Sequence, residues 1–245
     1  MNPLARSAIL TYHSLDGTGS VISTSPALFQ RQMEVLAGSG TRVVPLSQIR
    51  EHPGAVSITF DDGFANFAEH ALPVLEQFSF PATVFVVSGH CGRYNDWPTQ
   101  PSATPRLPLL SWKLLRNLPM TISVGAHTLT HPDLRVLAEM DMVREVCQSR
   151  TQIEQETGRA VESFAYPYGA VDTRVAALVR RKFRTACGTS LDFTRADSDS
   201  AVLPRLDAYY LKSLWWCHNP VGTVNAIYVT CRRGLREIGE RWRGL

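Results

Sequence analysis

No CxxC pair occurs in this chain. Its five cysteines, Cys91, Cys147, Cys187, Cys217 and Cys231, stand far apart, which excludes a thiolate zinc site and argues against a disulfide framework. They are expected to be small, mostly buried apolar side chains. An excess of one charge is also missing: 25 Lys and Arg against 22 Asp and Glu leave 25 − 22 = +3, too little for a nucleic-acid surface. No apolar run is long enough to span a bilayer. The opening MNPLARSAILTYHS lacks the apolar core and small-residue cleavage site of a signal peptide, so the chain as written is expected in the cytoplasm.

What is present is ordinary globular material. With 245 residues, 44% hydrophobic and 19% charged, the chain suits one large α/β domain better than two small ones. Its elements alternate. Strands are expected at 8–12, 56–60, 82–87, 121–124, 163–166 and 184–187. Helices are expected from the Ser25-Pro26 cap onward, over 65–78 despite Pro73, and over 111–118, 139–156 and 172–183. Residues 89–109 form a long loop of the kind that in a compact domain is functional or disordered. Repeated βα units imply a parallel sheet, closed as a barrel or open and doubly wound. Either way the ligand site forms where strands end, which directs attention to His13, Asp61, Asp62, His127 and Tyr168.

Three strand ends carry chemistry. SITFDDG ends on two adjacent carboxylates, which need water, a cation or a raised pKa to coexist; a solvated Asp-Gly turn is the simpler alternative. GAHTLTH spaces His127 and His131 i, i+4, which on a helical turn would put both imidazoles on one side. Two histidines and one aspartate make a ligand set for catalytic zinc with a position left for water. SFAYPYG turns tightly at the same rim and aims backbone N–H groups inward.

Together TFDDG, HTLTH and YPYG resemble the first three motifs of the polysaccharide deacetylase family, the NodB-homology domain or carbohydrate esterase family four. The resemblance runs roughly from Ala8 to Leu206. It implies a distorted (β/α) barrel, seven-stranded in many members, that removes an N-acetyl group from an amino sugar with a divalent metal, commonly zinc. By position it makes Asp62, His127 and His131 the metal ligands and Asp61 the general base, with the backbone N–H of Tyr168 facing the oxyanion. A polysaccharide, an oligosaccharide or a lipid-linked precursor would be the substrate.

Two features depart from that pattern. The Leu-x-His motif that supplies the general acid is absent, since the region reads VLPRLDAYYL, and Ala165 stands where an arginine often orients the base. His13, at the end of the first strand, is the candidate acid, with His218 behind it. Arg205 and Asp207 are candidates to replace the missing polar contacts near Asp61, and Trp112 and Asn95-Asp96-Trp97 are candidates to lie beside the sugar. Residues 1–212 are read as the catalytic domain and 213–245 as a basic amphipathic helical extension packed on it. Five arginines with Ile238, Trp242 and Leu245 would let that tail lie on an anionic membrane's inner face. A catalytically weak or silent glycan-binding or regulatory protein and a hydrolase of non-sugar amides are the competing readings.

Overall fold

The computed structural model describes residues 5–243, with side chains described as far as residue 236. The expected alternation is present. Strands are β1 (Ala8–Tyr12), β2 (Ser14–Leu15), β3 (Ser23–Thr24), β4 (Val56–Phe60), β5 (Ala82–Val86), β6 (Ile122–Ala126), β7 (Ser163–Ala165), β8 (Thr185–Cys187) and β9 (Leu206–Asp207). Helices are α1 (Pro26–Gly38), α2 (Leu72–Gln77), α3 (Trp112–Arg116), α4 (Glu139–Thr157), α5 (Thr173–Lys182) and α6 (Thr223–Arg243). Ser25 caps α1 by accepting from the Leu28 N–H at 3.2 Å, and Asp172 caps α5 by accepting from Val175 at 2.8 Å, which satisfies first-turn donors the helices cannot.

One expected helix differs. The stretch 65–78 opens with a π turn, Phe67–Ala71, before α2 begins. Pro73 has no N–H to give the carbonyl four residues back, so a regular α ladder cannot cross this point.

Seven strands form one parallel sheet in the order β8-β7-β6-β5-β4-β1-β9, while β2 and β3 make a separate parallel pair. Leu203 bridges to Cys187 of β8, and three residues later Leu206 pairs with Leu10 of β1. This segment carries the sheet from its β8 edge round to β1. The architecture is therefore a distorted seven-stranded (β/α) barrel.

Strand parity decides what faces inward, because successive side chains point to opposite faces. Ala8, Leu10, Tyr12, Ile58, Phe60, Val84 and Val86 join the outer core with Phe29, Met33 and Val146 from the helices. Ile9, Phe85, Ala165, Cys187 and Leu203 form a second buried cluster on the inward face. A one-residue slip would take Leu10, Tyr12, Ile58 and Phe60 off the outer core at about 1.5–3 kcal/mol each, so the register is strongly specified. Gly125 is needed inside the barrel: a Cβ there would lie 2.4 Å from the Phe85 ring.

The segment after residue 212 adds Trp216, Cys217 and Val229 to the outer core. Arg233 pairs with Asp192, and Arg236 donates to the Thr189 carbonyl at 2.9 Å, so two of the tail's arginines turn onto the body. The side chains of Ile238 and Trp242, and Leu245, lie outside the described residues. Among those described, no helix is long and apolar enough to cross a membrane. The cysteines are less buried than expected: Cys187 and Cys217 are buried, Cys91 and Cys147 half-buried and Cys231 exposed, all unpaired.

Candidate active site

The inward parity of β1 and β4 continues past their ends. Thr11 and Thr59 face each other inside the barrel, their hydroxyls 3.3 Å apart, and two residues on stand His13 and Asp61. Both open into a cleft of about 500 Å³ at the C-terminal mouth, lined also by Tyr168, Arg205, Asp207 and Tyr209. Asp62, His127 and His131 lie beside it. His218 is not among the residues lining the cleft.

Asp62, His127 and His131 converge. The two histidine Nε2 atoms are 3.2 Å apart, and each lies 3.4 Å from Asp62 Oδ1. Ligand bonds of about 2.0–2.1 Å at tetrahedral angles put donor atoms about 3.3 Å apart, so this triangle fits a zinc-type site. The outer contacts agree: His127 Nδ1 donates to the Ala165 carbonyl at 2.7 Å, leaving the Nε2 lone pair directed at the triangle. These three buried residues form a cluster able to hold a metal ion. Burial pushes the Asp62 carboxyl up, but the two imidazoles set against it outweigh burial and hold the group far below the usual carboxylate range. For His131 burial dominates and lowers its pKa; for His127 burial is overcome by the neighbouring carboxylates of Asp62 and Asp61, which raise it. With the His127 proton on Nδ1, the set offers one carboxylate and two imidazoles, a donor chemistry suited to a divalent cation.

The histidines do not reach this arrangement as a helical turn. Thr128 and His131 have φ of 67° and 60°, which no α-helix tolerates, and residues 127–131 form a loop. Its shape is set by Glu145 on α4, whose buried carboxylate accepts from the N–H groups of Leu129 and Thr130 at 2.9 Å each and from the Thr130 hydroxyl at 2.8 Å. The His131 N–H donates to Thr128 Oγ1 at 2.9 Å. Nothing in the sequence marks Glu145, which reads as one more acid on a polar helix.

Arg205 answers for the missing arginine. From the residue just before β9 it donates to both oxygens of Asp61, Nη1 to Oδ1 at 2.7 Å and Nη2 to Oδ2 at 2.6 Å, and its Nε donates to the Gly188 carbonyl at 2.9 Å. It is a candidate both for the polar contacts near Asp61 and for substrate binding; it is on the cleft wall but only 2% exposed, and its guanidinium is engaged by Asp61. Burial opposes ionisation of Asp61, but the charge and hydrogen bonds of Arg205 hold its carboxyl below the ordinary value.

Backbone strain gathers at this mouth. Of five described non-glycine residues with positive φ, four are Asp62 (68°), Thr128 (67°), His131 (60°) and Tyr168 (57°). Such conformations each cost on the order of 1–3 kcal/mol and persist only where surrounding contacts over-determine them. The turn holding Tyr168 is also closely packed: a Cβ on Gly169 would lie 1.9 Å from Thr189 Oγ1.

The long loop is ordered by its own contacts. Asn95 accepts from the Leu107 N–H at 2.6 Å and donates to the Pro105 carbonyl at 2.9 Å, while Asp96 pairs with Arg106 at 3.0 Å. Trp97 is buried, with its ring 4.3 Å from that of His131. Tyr168 meets the same imidazole edge-on at 4.6 Å. Trp112 is elsewhere: at the first turn of α3 it packs half-buried against the outer core and does not line the cleft.

Comparison with known proteins gives a consistent result. Residues 48–185 match the polysaccharide deacetylase family profile. Poly-β-1,6-N-acetyl-D-glucosamine N-deacetylase of Staphylococcus aureus is 24% identical over 207 residues, covering 77% of this chain and 66% of that protein. The chain thus spans just under two thirds of the length of such relatives. Among solved structures, Streptococcus pyogenes deacetylase PplD in complex with acetate aligns with a TM-score of 0.71 at 20% identity, over 82% of this chain and 92% of that one. IcaB from Ammonifex degensii aligns with a TM-score of 0.69 at 21% identity, over 87% and 97%. These two likenesses concern the fold.

Proposed function

Because this chain belongs to the polysaccharide deacetylase family, we propose that it is an amino-sugar N-deacetylase, hydrolysing the acetamide of an N-acetylated glycan with a divalent metal, zinc in the first instance. The observation that carries this reading is the triangle of Asp62, His127 and His131 beside the Arg205-bound carboxylate of Asp61. The name of the Staphylococcus aureus relative favours an N-acetylglucosamine polymer as substrate.

Asp62, His127 and His131 would hold the metal, which when bound supplies a Lewis acid that acidifies water and polarises a carbonyl. Asp61 takes the proton from the attacking water. Its low pKa keeps it ionised for that task across neutral pH, and Arg205 keeps its plane fixed. Tyr168 contributes a backbone N–H to the oxyanion. Collapse requires a proton on the departing nitrogen, and His13, on the cleft wall with Asp61 and Tyr168, supplies it.

The test is acetate release from N-acetylglucosamine oligomers by protein purified without chelator, alongside metal analysis. Expected are one metal per chain, its loss in His127→Ala, and abolished release in Asp61→Asn with metal retained. Wild type that binds metal but releases no acetate from any acylated amino sugar would overturn the reading.

A further inference from the structure

We propose that Thr99 is a positioning residue for this site, a latch through which the long loop holds His131 and Tyr168 in their strained backbone conformations. The Thr99 hydroxyl donates to the His131 carbonyl at 2.9 Å. The Tyr168 hydroxyl in turn approaches Thr99 Oγ1 and the Thr99 carbonyl, both at 2.9 Å. Since the threonine proton is committed to His131, Thr99 Oγ1 can only accept from Tyr168. The donor order runs from Tyr168 to Thr99 to the His131 carbonyl.

Three observations make this more than a surface contact. Both partners are left-handed residues of the site, at φ 60° and 57°, and such strain requires external restraint. The His131 N–H is already held by Thr128, so Thr99 supplies the restraint on the other side of the same residue. The segment carrying Thr99 is itself fixed, by the Asn95 bonds, the Asp96–Arg106 pair and the buried Trp97 ring tilted against the His131 imidazole. Thr99 itself is exposed, so its substitution leaves the core intact.

The kinetic part of the test rests on the deacetylase reading; the metal-binding part does not. Thr99→Val, Thr99→Ser, Tyr168→Phe and the double variant Thr99→Val/Tyr168→Phe are compared with wild type. Metal affinity is read by competition with a chromophoric chelator, and kcat and KM by acetate release. Thr99→Val is expected to weaken metal binding about tenfold, the lower end for loss of an outer contact. It should lower kcat about tenfold with KM within about twofold, as when an interaction serves the transition state rather than binding. Thr99→Ser, which keeps the hydroxyl, should restore both, and the double variant should lose less kcat than the product of the single losses, because both weaken one chain of bonds. Wild-type metal affinity in Thr99→Val would overturn the latch even if the protein deacetylates nothing tested. Losses that multiply in the double variant, or a Thr99→Ser as impaired as Thr99→Val, would do the same.

Discussion

Arg205 grips Asp61 by two parallel hydrogen bonds, at 2.7 and 2.6 Å, with both side chains buried. The residues are 144 positions apart and stand just before β9 and just after β4, strands that flank β1 on either side. A bidentate guanidinium sets the plane of a carboxylate as well as its charge. It can therefore orient a base that a desolvated cleft would otherwise protonate.

Replacing Arg205 separates these two roles. Arg205→Met leaves a buried charge without its partner, so a stability loss of about 3–5 kcal/mol is expected in denaturant unfolding. Arg205→Lys keeps a charge but not the fork, and kcat/KM should fall about 100-fold from misorientation. The pH profile has a defined sign. Asp61 works ionised, and Arg205 lowers its pKa against burial. Weakening that contact raises the pKa, so the acid limb of kcat/KM, measured with saturating metal, should move to higher pH. A lysine variant with the wild-type rate and acid limb would show that the pair is structural only.

His13 is tested through the leaving group. In His13→Gln, kcat on an N-acetyl sugar should fall about 10²–10⁴-fold, the usual worth of a general acid. Hydrolysis of an aryl acetate, whose phenolate leaves without a proton, should fall far less. Equal losses on both substrates would assign His13 to positioning or metal retention rather than proton delivery.

Glu145 shapes the loop that carries both histidines although it touches neither imidazole in the described contacts. In Glu145→Ala the N–H groups of Leu129 and Thr130 lose the one oxygen that accepts from both. Metal affinity is expected to drop about 10–100-fold with little change in far-UV circular dichroism. Unchanged affinity by chelator competition would mean that the strained loop needs no support from α4.

Much of the barrel was legible because its signals are local. Ser25 and the apolar strands state their own structure through a cap and side-chain shape, and strand ends carrying DDG, HTLTH and YPYG point to a metal and a base wherever the sheet puts them. His127 and His131 were legible as partners but not as a loop: an i, i+4 spacing reads as helix unless the φ values of Thr128 and His131 are known, and those depend on Glu145 from a distant helix.

By itself, then, the sequence determined the βα order and the residue types at the strand ends, which follow from short-range periodicity and backbone sterics. Only the tertiary structure decided that the segment from Leu203 to Asp207 closes the barrel, that Arg205 rather than a residue at position 165 holds Asp61, that Trp112 serves the core while Trp97 serves the site, and that Thr99 bridges His131 and Tyr168. Each of these joins residues far apart in the chain. Such contacts form because burying a charge or straining a backbone is tolerated only where a partner stands ready, and which partner is at hand depends on chain closure in three dimensions.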